Sequence, residues 1–321
     1  MRLMIFACAL LASAASAAPL KIATLAPEGS SWMREMRAAG TSIASKTENR
    51  VELKFFPGGV MGSGDTVLRK IKLGQLNGGA FTTTELSGVN PDVQAYGIPF
   101  VFETLDDVKR AREKIDPIIK DGFQANGMTI AGLTGGGFIY LMGTKPIATQ
   151  AELRATKVWV PEGDTIGRIA WEVAGVNPVQ LALADVYTSL QTGLIETVGN
   201  TTTGAVAFQW TTKVKYMVDL PVAYTIGVLA IDNKALAKLS EADRAIVVAE
   251  IETAFRKLES INIDDDAKTR MTIAKEGVQI VAPSAEEAAA WREIGVKTRA
   301  RLRQDGVVSA VVLDALDSVA N

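Results

Sequence analysis

The 321-residue chain has no histidine, and its single cysteine is Cys8. Without histidine, Ser-His-Asp and Cys-His nucleophile systems and imidazole-ligated metal sites are excluded. Only carboxylate, lysine or tyrosine chemistry is left for catalysis, and no cofactor or metal is expected. With one cysteine no internal disulfide can form, so the fold depends on its apolar core, which a chain of this length can bury. No apolar run is long enough for a bilayer, which needs roughly 20 residues. The run at residues 3–12 follows Arg2 and precedes Ala15-Ser16-Ala17, the small-x-small pattern of a secretory leader. Cys8 lies inside that run rather than after it, which argues against lipid attachment. The expectation is export to the periplasm with cleavage after Ala17, leaving 304 residues. Neither sign of charge dominates, since 33 basic and 36 acidic residues then remain, a net charge of −3. That balance gives no footprint for nucleic acid or an anionic membrane.

What is present is an alternation of strands and helices. LKIATLA (20–26), VELKFF (51–56) and GGAFTTT (78–84) read as strands, with helices expected from about Trp32 and over 65–76. Residues 105–127 are helical in pattern. MTIAGL and GFIYLMG read as two strands on either side of Gly135-Gly136-Gly137. A second set follows: ATKVWV, a helix over 164–174, PVQL, a helix over 184–193, IETVGN and the strand AYTIGVLAID (223–232). A helical pattern of over thirty residues starts at Ser240, where Ser240 and Asp243 suggest an N-cap with a back-reaching carboxylate. Ser284 and Glu287 start the last helical region. The order argues for an α/β fold of two domains with largely parallel sheets, and the long helix for one element spanning both.

Several motifs have a bland reading beside a functional one. GGVMGSGDT (58–66) has the glycine spacing of a phosphate loop, but Asp65 stands where the motif needs lysine and would repel phosphate. A tight turn with Asp65 capping a helix is the simpler reading; a loop turning backbone N–H groups to a cleft is the other. Thr82 to Thr84 and Thr201 to Thr203 fit β propensity, or two hydroxyl-rich strand ends facing a cleft. Of the five tryptophans, Trp171 and Trp291 read as structural and Trp32 is undecided. Trp159, at a strand end beside Pro161, is the best ligand candidate, and Trp210 the second. Glu162 and Asp164 sit at a helix start, where the dipole would lower their basicity. Asp264-Asp265-Asp266 reads as a solvated helix face.

Several segments, in order, resemble the extracytoplasmic solute receptors of TRAP transporters, of the DctP type. They are PGGVMGSGDTVLRKIKLGQL (57–76), GIPFVF (97–102), TKPIATQAELRATKVWVPEG (144–163), GVNPVQLALADVYTSLQTGLIETVGN (175–200) and LSEADRAIV (239–247). The resemblance implies a two-lobed periplasmic-binding-protein-like fold whose cleft closes on a small solute and delivers it to a two-component membrane permease. It implies crossings near Gly137, near Ile226 and within the long helix. Lobe I is then 18–136 with 226–263, and lobe II is 137–225 with 264–321. One departure stands out: Trp159 occupies the position where the family has an arginine that forks onto the solute's carboxylate. An indole has one N–H and no charge and cannot replace that ion pair. Glu196, Thr197 and Gly199 alter the family's DG-En segment, while Asn200 is kept. Leu25 and Ala26 make the first strand end apolar. Trp159, Asn200, Thr82, Phe81, Trp210, Thr201 and Tyr140 are the expected ligand-binding residues. They suggest a solute less polar than a C4-dicarboxylate, aromatic or alicyclic. Arg168 is the nearest cation, although helix-surface exposure suits it better. The alternatives are a binding protein that feeds a membrane sensor kinase and an exported carboxylate-dependent enzyme, for which the residue inventory is poor.

Overall fold

The computed structural model describes residues 19–319; the expected leader and Cys8 lie outside them. The first lobe opens with three parallel strands, β1 (Leu20–Ala23), β2 (Leu53–Phe56) and β3 (Gly78–Thr82), ordered β2-β1-β3. Helices Ser31–Lys46 and Gly64–Lys72 make the crossovers. Each turns its apolar side inward, with Met33, Met36 and Ile43 on the first and Val67 and Ile71 on the second.

The lobes are joined by two long strands, β4 (Met128–Gly143) and β9 (Ala223–Asp232). They pair antiparallel with each other, and β9 pairs antiparallel with β3. The far end of β4 pairs instead with β7 (Thr197–Asn200) and β8 (Tyr216–Val218), and β8 pairs with β10 (Gln279–Val281). A separate parallel pair, β5 (Trp159–Pro161) and β6 (Val179–Leu181), adjoins β7 through the bridge Val158 to Thr197. The two strands expected around the glycine triplet are therefore one. A register shift between Gly135 and Gly137 bends it without ending it, and Gly137 has φ +112°, a conformation that strains any other residue. The eight-stranded sheet is mixed, because β9 runs back between β3 and β4 and reverses the direction there.

The helix Glu241–Lys275 runs 35 residues across both lobes and packs on β4. Ser240 caps it, accepting from the Asp243 amide at 3.1 Å. The Asp243 carboxylate does not reach back as expected; it pairs with Arg50 at 2.9 Å, since a guanidinium outcompetes one more backbone N–H. Glu287 likewise accepts from the Gln150 amide at 3.1 Å and ties the helix Ala285–Asp305 to the short helix Gln150–Arg154. Val247, Ile251, Phe255 and Leu258 of the long helix share a core with Leu20, Ile22 and Ile43. A second core, around Leu141, Val158 and Trp291, sits under the second lobe.

Candidate functional site

The carboxyl ends of β1 and β3 and the glycine turn at 57–64 border a small, partly open recess, in the usual ligand position of an α/β sheet. Its wall includes Thr24, Leu25, Gly62, Gly64, Phe81 and Glu85. The turn is stitched to β1, as Gly58 donates to the Ala26 carbonyl at 2.9 Å and Gly59 to that of Thr24 at 3.0 Å. These N–H groups are spent within the fold and do not face the cavity as free donors. Asp65 does not cap the following helix. Ser63 holds the cap position, and Asp65 falls in the first turn, where its charge meets the helix dipole.

Phe81 is buried in the cavity wall, while Thr82 at the end of β3 is exposed. Thr82 and Glu85 bond reciprocally: Glu85 Oε2 accepts from the Thr82 amide at 2.8 Å and hydroxyl at 3.0 Å, and the Glu85 amide donates to Thr82 Oγ1 at 3.3 Å. The sequence reading missed Glu85, although its T-x-x-E spacing is that of a capping box.

The other five expected residues collect on the second lobe. Trp159 is 5 % exposed, and its Nε1–H donates to the Leu181 carbonyl at 3.0 Å. The indole's only donor is thus consumed between β5 and β6, and only its ring remains to offer. Trp210 packs against it edge-to-face at 5.5 Å, and Phe208, also missed, stacks on Trp210 at 5.6 Å with its ring at the surface. Tyr140 and Asn200 are partners across the β4–β7 ladder. Asn200 Oδ1 accepts from the Thr201 amide at 2.8 Å, and Thr201 caps the helix Thr202–Ala207 through the Gly204 amide at 2.9 Å. Burial pushes the Tyr140 phenol above its ordinary range, with Asp266 adding to it, while Arg270 sits 5.5 Å from the ring centroid. No hydrogen bond or aromatic contact among the described residues joins this group to Phe81 and Thr82.

Three expectations need correction here. Asp266 is not on a solvated face: it accepts from the Thr202 hydroxyl at 2.5 Å and fastens the long helix beneath the end of β7. Of the second threonine triplet, Thr202 is fully buried by that contact and only Thr203 is exposed, so the triplet is not a row of hydroxyls facing a cleft. Asp164 caps its helix through the Gly167 amide at 2.9 Å, yet burial raises its carboxyl above the usual range against the pull of those amides. The dipole is outweighed there by desolvation.

The remaining candidates fall into structural roles. Trp32 packs edge-on to Phe55 at 6.3 Å, and Trp291 lies 6.0 Å from Phe100. Arg168 pairs with Glu172 one turn along its exposed helix face. Glu196 pairs with Lys145 at 2.6 Å, and the Thr197 hydroxyl meets that of Thr156 at 2.9 Å, so the altered segment serves the fold. Among the described residues there is no group of three or more potential metal ligands, and no helix is long and apolar enough to cross a membrane.

Residues 22–302 match the family model described as bacterial extracellular solute-binding protein, family 7. A solute-binding protein of Chromohalobacter salexigens is 26 % identical over 51 % of this chain, a match that spans about half (49 %) of that protein. The 2,3-diketo-L-gulonate-binding periplasmic protein YiaO of Escherichia coli is 20 % identical over 86 % of this chain and 84 % of its own. A TRAP periplasmic solute-binding protein from Desulfovibrio salexigens, solved with bound orotic acid, superimposes with a TM-score of 0.83 at 20 % identity, covering 94 % of this chain and 97 % of that one. The order of elements, the cavity at the strand ends and the family match over nearly the whole described chain agree: the protein belongs to the DctP family, the bacterial extracellular solute-binding proteins of family 7.

Proposed function

We propose that this chain is the extracytoplasmic receptor of a TRAP-type secondary transporter. It captures a small, weakly polar, ring-bearing organic solute by cleft closure and hands it to a permease of two membrane components. The leader at 1–17 directs it to the periplasm. Residues 18–136 and 226–263 form one jaw, and 137–225 and 264–321 the other. The receptor acts as a carrier and returns the solute unchanged, so it is not an enzyme. The observation that carries this reading is the family match across both lobes, together with a cavity at the strand ends of the first.

Trp159, Tyr140, Asn200 and Thr201 form the second-lobe face of the site, with Trp210, itself fully buried, backing Trp159, and Phe81 and Thr82 form the first-lobe face. An indole whose N–H is already bonded can meet a solute only through its π system, which favours a flat or alicyclic body over a bare dicarboxylate. That a related protein was solved with orotic acid, a ring acid, supports the same shape.

The experiment is a thermal-shift screen of the full mature chain against aromatic acids, alicyclic acids, sugar acids and C4-dicarboxylates, followed by calorimetric titration. A true solute at 100 times its Kd should add about 2.7 kcal/mol to stability. Ring-bearing hits whose quenching of tryptophan fluorescence weakens in Trp159→Phe are the expected result. Tight capture of succinate or malate that ignores Trp159→Phe would rule out the proposed solute class.

A further inference from the structure

The first-lobe cavity has one charged side chain in its wall, Glu85. We propose that Glu85 sets the chemistry of the solute's first-lobe end: it accepts a hydrogen bond from a hydroxyl or ammonium group and excludes a carboxylate. This rests on the receptor reading above and adds to it which functional group enters which jaw.

Three observations carry it. Thr82 occupies Oε2 of Glu85 through two bonds, at 2.8 and 3.0 Å, which fixes the carboxylate's orientation. Oε1 has no hydrogen bond and Glu85 no ion pair among the described residues. An ionised carboxylate can only accept, so the group that completes it must donate. Secondly, the chain makes room for this side chain. A Cβ on Gly64 would lie 2.6 Å from Cγ, Cδ and Oε1 of Glu85. The carboxylate thus lies over the first residue of the helix Gly64–Lys72, whose cap Ser63 makes no side-chain hydrogen bond to the helix backbone. The positive end of the helix meets a built-in anion, and a solute anion arriving there would face that charge. Thirdly, among the described residues no cationic side chain belongs to the cavity wall, and the Lys70 ammonium beside it is taken up by the carbonyl of Met61 at 3.0 Å. The other wall residues are uncharged. On the second lobe, Arg168 is paired with Glu172 and Arg270 with Asp219 at 2.6 Å.

The test uses amide spectra of the ¹⁵N-labelled mature chain, titrated separately with methylammonium, glycerol and acetate. Methylammonium and glycerol should move the amides of Gly62, Gly64 and Thr82, and acetate should not. In Glu85→Gln the methylammonium response should weaken at least tenfold while glycerol's persists. Gly64→Ala is the second variant. Its backbone is outside the left-handed region and the atoms it displaces are the far end of Glu85, so the fold should survive while both responses fall. The assignment is overturned if acetate moves these amides in the unmodified chain, if methylammonium binding survives Glu85→Gln, or if none of the probes moves them. The solute screen reports separately. A dicarboxylate captured through this cavity defeats the Glu85 assignment and leaves the receptor standing, whereas capture of no solute at all defeats the receptor reading and leaves the three titrations to decide for Glu85.

Discussion

At the scale of single residues, Trp159 shows how position and environment part company. Its place in the strand before Pro161 is legible in the sequence, as is the lack of charge. That its N–H is consumed by Leu181, 22 residues on, is not, because β5 and β6 meet only through the fold. Trp159→Ala should cost about 3–5 kcal/mol, the usual price of emptying a large buried aromatic site. Trp159→Phe should cost less, and urea midpoints at unchanged slope will separate the two. The tyrosines offer a second measurement. Burial, with Glu259 next, pushes the Tyr224 phenol up to about 12, whereas the neighbouring Thr212 and then Lys213, whose ammonium lies 5.0 Å from the ring centroid, draw Tyr187 down. An alkaline absorbance titration should therefore show Tyr187 ionising before Tyr224, while Tyr96, buried beside Asp116, is held well above its ordinary range and is also late. Because Tyr224 is raised above its unfolded value of about 10, its contribution to stability is complete below pH 10 and is lost as pH rises toward 12.

At the scale of elements, periodicity and caps located the helices well, including the 35-residue one and its Ser240 cap. Periodicity misplaced the partners of the capping carboxylates. Asp243 turns to Arg50 and Glu287 to Gln150, and a pattern three residues long holds no information about a partner over a hundred residues away. The hydrogen bond from Arg50 holds the Asp243 carboxyl below its ordinary range, and that from Lys145 does the same for Glu196. For such lowered groups the stabilisation is present above the unfolded carboxylate value of about 4 and disappears as pH falls through the folded one. The melting temperature should drop on acidification below pH 4, and Asp243→Asn should flatten that slope. The glycine triplet was legible as an interruption but not as a bend within one strand, since both give the same residues. Gly137→Ala, forced into φ +112°, should cost about 1–3 kcal/mol. Calorimetry of the variant checks it.

At the scale of the molecule, a two-lobed α/β fold could be read from the sequence, while the strand directions could not. β9 returns antiparallel between β3 and β4, and β7 and β8 run antiparallel to β4, a matter of topology that local propensity does not encode. The two faces of the candidate site are equally hidden from each other in sequence, although Glu85 has a local T-x-x-E signal, whereas Phe208 has none. Cleft closure predicts a smaller radius of gyration in small-angle scattering once a solute saturates the chain. β4 carries a further consequence. One unbroken strand supplies ladder partners to both lobes, and the chain returns through β9 and again through the long helix. Neither jaw is then a segment that can be cut out and expressed alone, because β4 and the long helix serve both. Heat should accordingly melt the receptor in a single calorimetric transition, and a nick between residues 135 and 137 should abolish both lobes together.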